Sequence, residues 1–341
     1  MTVLCLMEHD ASGVADASLR ALSFASALAS GSAPWPGDGI GPVADGAAEV
    51  AAVLFASAGD VPREALASYG ATAAHVIEPS DLAGYAPQAW ARALAGLAAQ
   101  TGASAVLAAA TDRGSEVLAH LGAITGQSLA ANCVSAQPAD GSTYRIARHR
   151  WGGLLLEDAL MDGAPALMTV ATEAVPAIAV AEPATLAVHT FQPGLAEDDL
   201  RVRATESAGQ SSGVSLATAR VVVGGGRGVG GPDGFAPLEE LAGLLGGVVG
   251  VSRVVTSEGW RPHRQQVGQT GTKITPELYL ACGISGAIQH MAGCAGAKHI
   301  VAVNTDSGAP ILAHADYAVL GDLREVIPAL VAALRARSGS S

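Results

Sequence analysis

The chain has 341 residues, half of them apolar, and a formal net charge of −12. That length exceeds what one hydrophobic core usually serves, so two domains are expected. The acidic balance, with no basic run and few aromatics, argues against nucleic acid as a partner, and no apolar run is long enough to predict membrane insertion.

Val3–Met7 reads as a buried first strand; no basic flank precedes it and Glu8, His9 and Asp10 follow at once, unlike a signal peptide. Helical spacing over Ala15–Ala29 is followed by a Gly/Pro-rich stretch, Gly31–Gly46, read as a surface loop. Val50–Ala56, Ala73–Ile77 and Ala103–Ala109 are predicted strands, with helices over Pro62–Tyr69, Ala86–Gln100 and Ser115–Thr125 between and after them. Such alternation predicts a Rossmann-like parallel sheet with helices on both faces. After about Asn132 the pattern changes. Cys133–Gln137, Thr143–Arg150, Ala166–Thr172 and Leu186–Phe191 read as strands without long helices between them, either a mixed sheet or an added β layer.

Ala204–Thr218 is Ser/Gly-rich and aperiodic, the best linker candidate. The expected division is therefore 1–203, a linker at 204–218, and a second α/β domain at 219–341. In that domain Arg220–Val223, Val248–Val254, Leu278–Cys282, His299–Val303 and Tyr317–Leu320 are predicted strands. Leu238–Leu245, Ala287–Ala292 and Leu323–Arg337 are predicted helices.

Ligands of open parallel sheets bind off the carboxyl ends of the strands. The residues at those ends are alike in kind: Gly224-Gly-Gly-Arg227-Gly, then Ser252 and Arg253, then Gly283-Ile-Ser285-Gly, then Asn304-Thr-Asp306, then Gly321-Asp322. Together these describe one polar, backbone-lined crevice able to hold an extended nucleotide. Gly226–Gly231 matches G-x-G-x-x-G, but Pro232, Asp233 and Gly234 come directly after it, so a glycine turn presenting Arg227 is the better reading. Ser285 stands where it could meet a diphosphate or merely cap a helix, and His290 is placed about one and a half turns into that helix. Gln266–Lys273 is either an exposed loop or, given its glycines, a tight path beside a flat ring.

Other chemistry is not indicated. No nucleophile elbow surrounds any serine, and the nine histidines lack metal-ligand spacing. The four cysteines are scattered without a C-x-x-C pair, as expected for reduced thiols in the cytoplasm. Glu8-His9-Asp10 reads as a strand-end loop, and Tyr144–Trp151 as a strand with a charged outer face.

The segments VGQTG at 267–271, PELYLACGISGAIQH at 276–290, IVAVNTDSGAPI at 300–311 and ADYAVLGDL at 315–323 resemble electron transfer flavoprotein alpha subunits. The resemblance extends to GGGRG at 224–228, VSR at 251–253, VLCLMEHD at 3–10 and GASAVLAAATDRGSEV at 102–117. It implies a heterodimer with a beta subunit, a C-terminal domain holding most of one FAD, and AMP or a second FAD in the beta subunit. It further implies an electron carrier, not a catalyst with its own substrate, between acyl-CoA-type flavin dehydrogenases and a membrane quinone oxidoreductase. The positions matching FAD contacts are Arg227, Ser252, Arg253, Val267, Gly268, Gln269 and Thr270. Ser285, Gly286, Ala287, Ile288, Gln289, His290, Asn304, Asp322 and Leu323 complete them.

By the family pattern Gln269 and Thr270 lie near the isoalloxazine, with the Thr270 hydroxyl close to N5, Arg253 near the ring and His290 at the pyrimidine carbonyl. Reduced flavin carries negative charge around N1 and that carbonyl, which a cation or an N–H donor stabilises. Ser257 stands where the family commonly has aspartate, and Arg261–Arg264 is more basic than expected. A specialised or bifurcating flavoprotein subunit, and a non-redox nucleotide-binding structural subunit, remain alternatives.

Overall fold

The computed structural model describes residues 1–10, 13–31, 49–78, 84–153, 155–172, 175–204, 216 and 219–338. Most of the predicted Gly31–Gly46 loop and of the predicted linker lies outside the described residues. The chain is α/β and divides into two units, one formed by Met1–Trp151 and Leu155–Ala208, the other mainly by Gly209–Ser341. Among the described residues, no helix is long and apolar enough to cross a membrane.

The first unit is built on β1 (Thr2–Leu6), β2 (Glu49–Phe55), β3 (Ala73–Ile77), β4 (Ala105–Ala109) and β5 (Leu129–Pro138). β6 (Thr143–Arg150), β7 (Leu155–Asp162), β8 (Ala166–Val170) and β9 (Ala187–Phe191) complete one nine-stranded sheet of order β9-β3-β2-β1-β4-β8-β5-β6-β7. All pairs are parallel except β5–β6 and β6–β7. The late strands thus extend the same sheet, and β7, unseen in the sequence, forms its edge.

Helices α1 (Asp16–Ala29) and α2 (Arg63–Ser68) pack one face; α3 (Pro87–Thr101) and α4 (Asp112–Thr125) pack the other. Val3 and Cys5 meet Leu22 and Leu28 of α1, while Leu4 and Leu6 share a core with Leu94 and Leu97 of α3. Burial on both faces explains why these strands read as unbroken apolar runs. Where strand order reverses, between β1 and β4, the Glu8 carboxylate accepts a hydrogen bond from Thr111, whose Oγ1 also caps α4 through the Gly114 amide at 3.0 Å. An acid already occupies the place where an open sheet would receive an anion.

The second unit is a five-stranded parallel sheet of β10 (Val221–Gly225), β11 (Val248–Val251), β12 (Leu278–Cys282), β13 (His299–Asn304) and β14 (Tyr317–Leu320). Their order is β11-β10-β12-β13-β14, so chain direction across the sheet reverses between β10 and β12. Helices α5 (Ala236–Leu244) and α8 (Leu323–Ser338) cover one face, burying Leu238, Leu241, Ile327 and Val331 against Val223, Leu280 and Cys282. Among the described residues no long helix covers the other face. Val267, Ile274, Ile311 and Cys294, from irregular segments and a short helix, pack there on Val222, Tyr279 and Ala281.

The second predicted strand is shorter than expected. β11 ends at Val251, and Arg253–Ser257 forms a one-turn helix, α6, whose N-cap residue is Ser252. The apolar Val254 extended the strand reading, but Val254 is exposed and it is Val255 that points into the core. That spacing is helical.

Candidate functional site

The reversal point between β10 and β12 is where a sheet of this order opens a ligand crevice. A cleft of about 560 Å³ lies there, lined from the carboxyl ends of four strands. Arg227 and Gly228 follow β10, and Ser252, Arg253, Val254, Ser257 and Glu258 follow β11. Gln266, Val267, Gly268, Gln269 and Thr270 form the loop beside them. Gly283, Ile284, Ser285, Ala287, Gln289 and His290 follow β12, and Asn304, Asp306 and Ala309 come at and after the end of β13. Twelve of the sixteen positions expected from the sequence therefore line one cavity.

The other four, Gly286, Ile288, Asp322 and Leu323, lie outside this cleft. Gly286 is packed against the Ile311 backbone, Ile288 is exposed, and Asp322 pairs with Arg324 at 2.9 Å. Leu323 backs the Gly283 turn from behind, its Cδ1 2.8 Å from where a Gly283 Cβ would be.

Backbone glycines hold the turns together. The Gly226 amide donates to the Cys282 carbonyl at 2.9 Å and the Gly228 amide to the Gly283 carbonyl at 3.1 Å. Those two N–H groups are thus spent within the fold, and the G-x-G-x-x-G string serves as a turn that leaves Arg227 exposed. Asn304 ties the third strand end to the fourth: its Nδ2 donates to the Ile284 carbonyl at 3.0 Å and its Oδ1 accepts from the Asp306 amide at 3.1 Å.

Helix α7 (Ile288–Cys294) has only seven residues, with Ala287 at its N-cap. Ser285 therefore does not cap it, and its exposed side chain belongs to the cleft wall. His290 is the third helical residue, earlier in the helix than the spacing suggested. The 267–270 loop is clamped onto this helix by the Gln269 amide, which donates to the Gln289 carbonyl at 2.7 Å. Gly293 allows that approach, since a Cβ there would stand 2.3 Å from the Gly268 backbone.

Two polar side chains outside the sixteen expected contact positions organise the wall. Gln266, buried, donates from Nε2 to Thr270 Oγ1 at 3.1 Å and accepts from the Thr256 hydroxyl at 2.6 Å. With its oxygen engaged as acceptor, the Thr270 hydroxyl hydrogen is left to point at a ligand. Tyr279, fully buried in β12, has its hydroxyl 2.7 Å from His290 Nε2. Neither had a periodicity to betray it. A tyrosine inside an apolar strand, facing Gly224 of the next strand, was the one available hint.

His290 is buried at 7% exposure, and its Nδ1 has no hydrogen-bond partner among the described residues. Burial pushes the imidazole down to about 4; the Val267 backbone, close to the ring but short of hydrogen-bond geometry, offsets this only in part, so the ring is neutral at pH 7. A buried, unsatisfied ring nitrogen is costly unless a ligand completes it. Arg253 is exposed on the same cleft, and no ion pair to it occurs among the described residues. A planar ligand bearing a carbonyl acceptor and anionic groups fits this donor set.

The family model described as "Electron transfer flavoprotein FAD-binding domain" matches residues 215–295, and that described as "Electron transfer flavoprotein domain" matches 41–195. The chain is 36% identical over 268 residues to the electron transfer flavoprotein subunit alpha of Thermoanaerobacterium thermosaccharolyticum, covering 78% of this chain and 81% of that protein. It belongs to the electron transfer flavoprotein alpha-subunit family. The subunit alpha of Mycobacterium leprae is 40% identical over 249 residues, covering 72% of this chain and 76% of the relative. Protein FixB of Bradyrhizobium diazoefficiens is 36% identical over 296 residues, covering 84% and 80%. As a member of this family the chain is an electron transfer flavoprotein subunit, and its relatives imply a beta-subunit partner. The FAD-binding-domain match contains every cleft residue except Asn304, Asp306 and Ala309.

Proposed function

We propose that the second unit holds FAD in the cleft between β10 and β12, and that the heterodimer relays electrons from flavin dehydrogenases of the acyl-CoA type to a membrane quinone oxidoreductase. The observation that carries the reading is the buried His290, whose Nδ1 makes no hydrogen bond of full geometry among the described residues, in a cleft that also contains Arg253 and Thr270. The cofactor supplies the redox chemistry when bound; the chain positions it and tunes its charge. His290 offers an N–H to the pyrimidine carbonyl, Thr270 offers a hydroxyl hydrogen toward N5, and Arg253 favours negative charge on the ring. Arg227 and the Ser285–Gln289 turn are suited to the diphosphate. Because α7 is so short, single N–H groups and Arg227 carry that interaction more than a helix dipole does.

In this reading the first unit (1–203) makes the heterodimer contact, residues 204–218 link it to the FAD-binding unit (219–341), and the beta subunit carries AMP or a second FAD. Support for the contact comes from edge strand β7, which leaves Leu155, Leu156 and Leu160 exposed beside Trp151. A cytoplasmic location goes with four buried, unpaired cysteines, thiols that a reducing compartment preserves. The test is coexpression with the beta subunit, purification, and visible spectroscopy. A yellow heterodimer that bleaches on reduction is the expected result; a colourless, flavin-free heterodimer sinks the proposal.

A further inference from the structure

Tyr279 does not line the cleft, yet it decides what His290 can do there. Its ring lies in β12 with no exposure, in space left by Gly224 of β10, where a Cβ would stand 2.4 Å from the tyrosine oxygen. Its hydroxyl has one hydrogen-bond partner among the described residues, His290 Nε2 at 2.7 Å.

Two proton arrangements satisfy that contact. In one, Nε2–H donates to the tyrosine oxygen. The tyrosine hydrogen then has no acceptor in a dry site, and Nδ1 keeps a bare, buried lone pair beside the Val267 backbone. In the other, the hydroxyl donates to Nε2 and the imidazole proton sits on Nδ1. Only a lone pair on the tyrosine oxygen is then unused, and lone pairs are less costly to leave bare than an O–H. A buried donor without a partner is disfavoured by enough to set the ratio at about five- to a hundredfold.

We infer that Tyr279 is a positioning residue that fixes the His290 tautomer, holding the proton on Nδ1, the ring nitrogen turned away from the tyrosine. That flavin binding draws on this tautomer rests on the function proposed above; the tautomer itself does not. Packing alone would keep the ring in place but would be indifferent to which nitrogen bears the proton. Tyr279→Phe removes the hydroxyl and leaves the ring that fills the space beside Gly224.

The experiment uses the alpha–beta heterodimer labelled with nitrogen-15 histidine, stripped of FAD, with the His290 signal identified by its loss in His290→Gln. In the wild type Nδ1 should be the protonated nitrogen and Nε2 the bare one; in Tyr279→Phe the two forms should mix. A proton on Nε2 in the wild type overturns the inference, as does a tautomer ratio unchanged by Tyr279→Phe. FAD titration of the same stripped samples gives the second readout. Tyr279→Phe should weaken FAD binding about three- to tenfold, and should have no further effect in the His290→Gln background. Equal losses in both backgrounds overturn the positioning role. A wild type with the Nδ1 proton in place but no affinity for FAD refutes the cofactor reading and leaves the tautomer assignment standing.

Discussion

Gly283 and Gly228 press backbone against backbone: a Cβ added to Gly283 would stand 2.7 Å from the Gly228 Cα. The same glycine has φ +62, a left-handed conformation unfavourable for L side chains. The two turns that frame the cleft are thus mutually dependent. Gly283→Ala should lower stability by about 2 kcal/mol or more and abolish flavin retention. Gly243→Ala is the control, since that helical glycine has open space around it and should be neutral or mildly stabilising. Urea denaturation of the full chain reads both.

His290 gives a pH signature. Its folded-state value is depressed to about 4, below the ordinary histidine range, so the unfolded chain takes up a proton first as pH falls. Stability is therefore undiminished above about pH 6.5, declines between there and about pH 4 by on the order of 3 kcal/mol, and levels off below. His290→Gln should flatten that arm in denaturation series run at successive pH values. In the flavin-loaded heterodimer, His290→Ala should lower the flavin reduction potential without dissociating the subunits. An unchanged potential refutes the assigned role.

Arg253 separates function from folding. Exposed, with no ion pair among the described residues, it can be lost at a stability cost within about 0.5 kcal/mol. Arg253→Ala should nevertheless weaken FAD binding about tenfold or more, the range for a charge-assisted contact. The loss should shrink as salt is raised, which titration at two ionic strengths would reveal.

Leu160, 72% exposed on the outer face of β7, addresses assembly. Leu160→Glu removes no buried contact, so the subunit should fold with unchanged stability. If β7 is the partner surface, the heterodimer should dissociate at concentrations where the wild type stays intact, as sedimentation would show. An undiminished heterodimer moves the contact elsewhere.

The strands of both sheets were legible because parallel strands buried on two faces leave unbroken apolar runs, as in Leu278–Cys282, where prediction and structure coincide. β7 was not. Its Leu-Leu-Glu-Asp-Ala-Leu-Met-Asp sequence places only Met161 in the core, and an edge strand needs no consistent alternation. The cleft was legible as a set of strand ends, since glycine, hydroxyl and amide residues recur there. The residues behind it stayed hidden. Gln266 and Tyr279 act through partners distant in sequence, Thr256 and His290, and no local pattern announces a hydrogen bond across ten or eleven positions.

The open margins of the two sheets have a consequence for the cell. β7 bounds the larger sheet and β14 the smaller, and along β14 Tyr317 and Leu320 are both exposed on an unpaired rim. Unpaired rims with apolar side chains invite pairing with whatever strand arrives first. Were the beta subunit to cover such a rim, a subunit made in excess of it would be the form most open to that pairing.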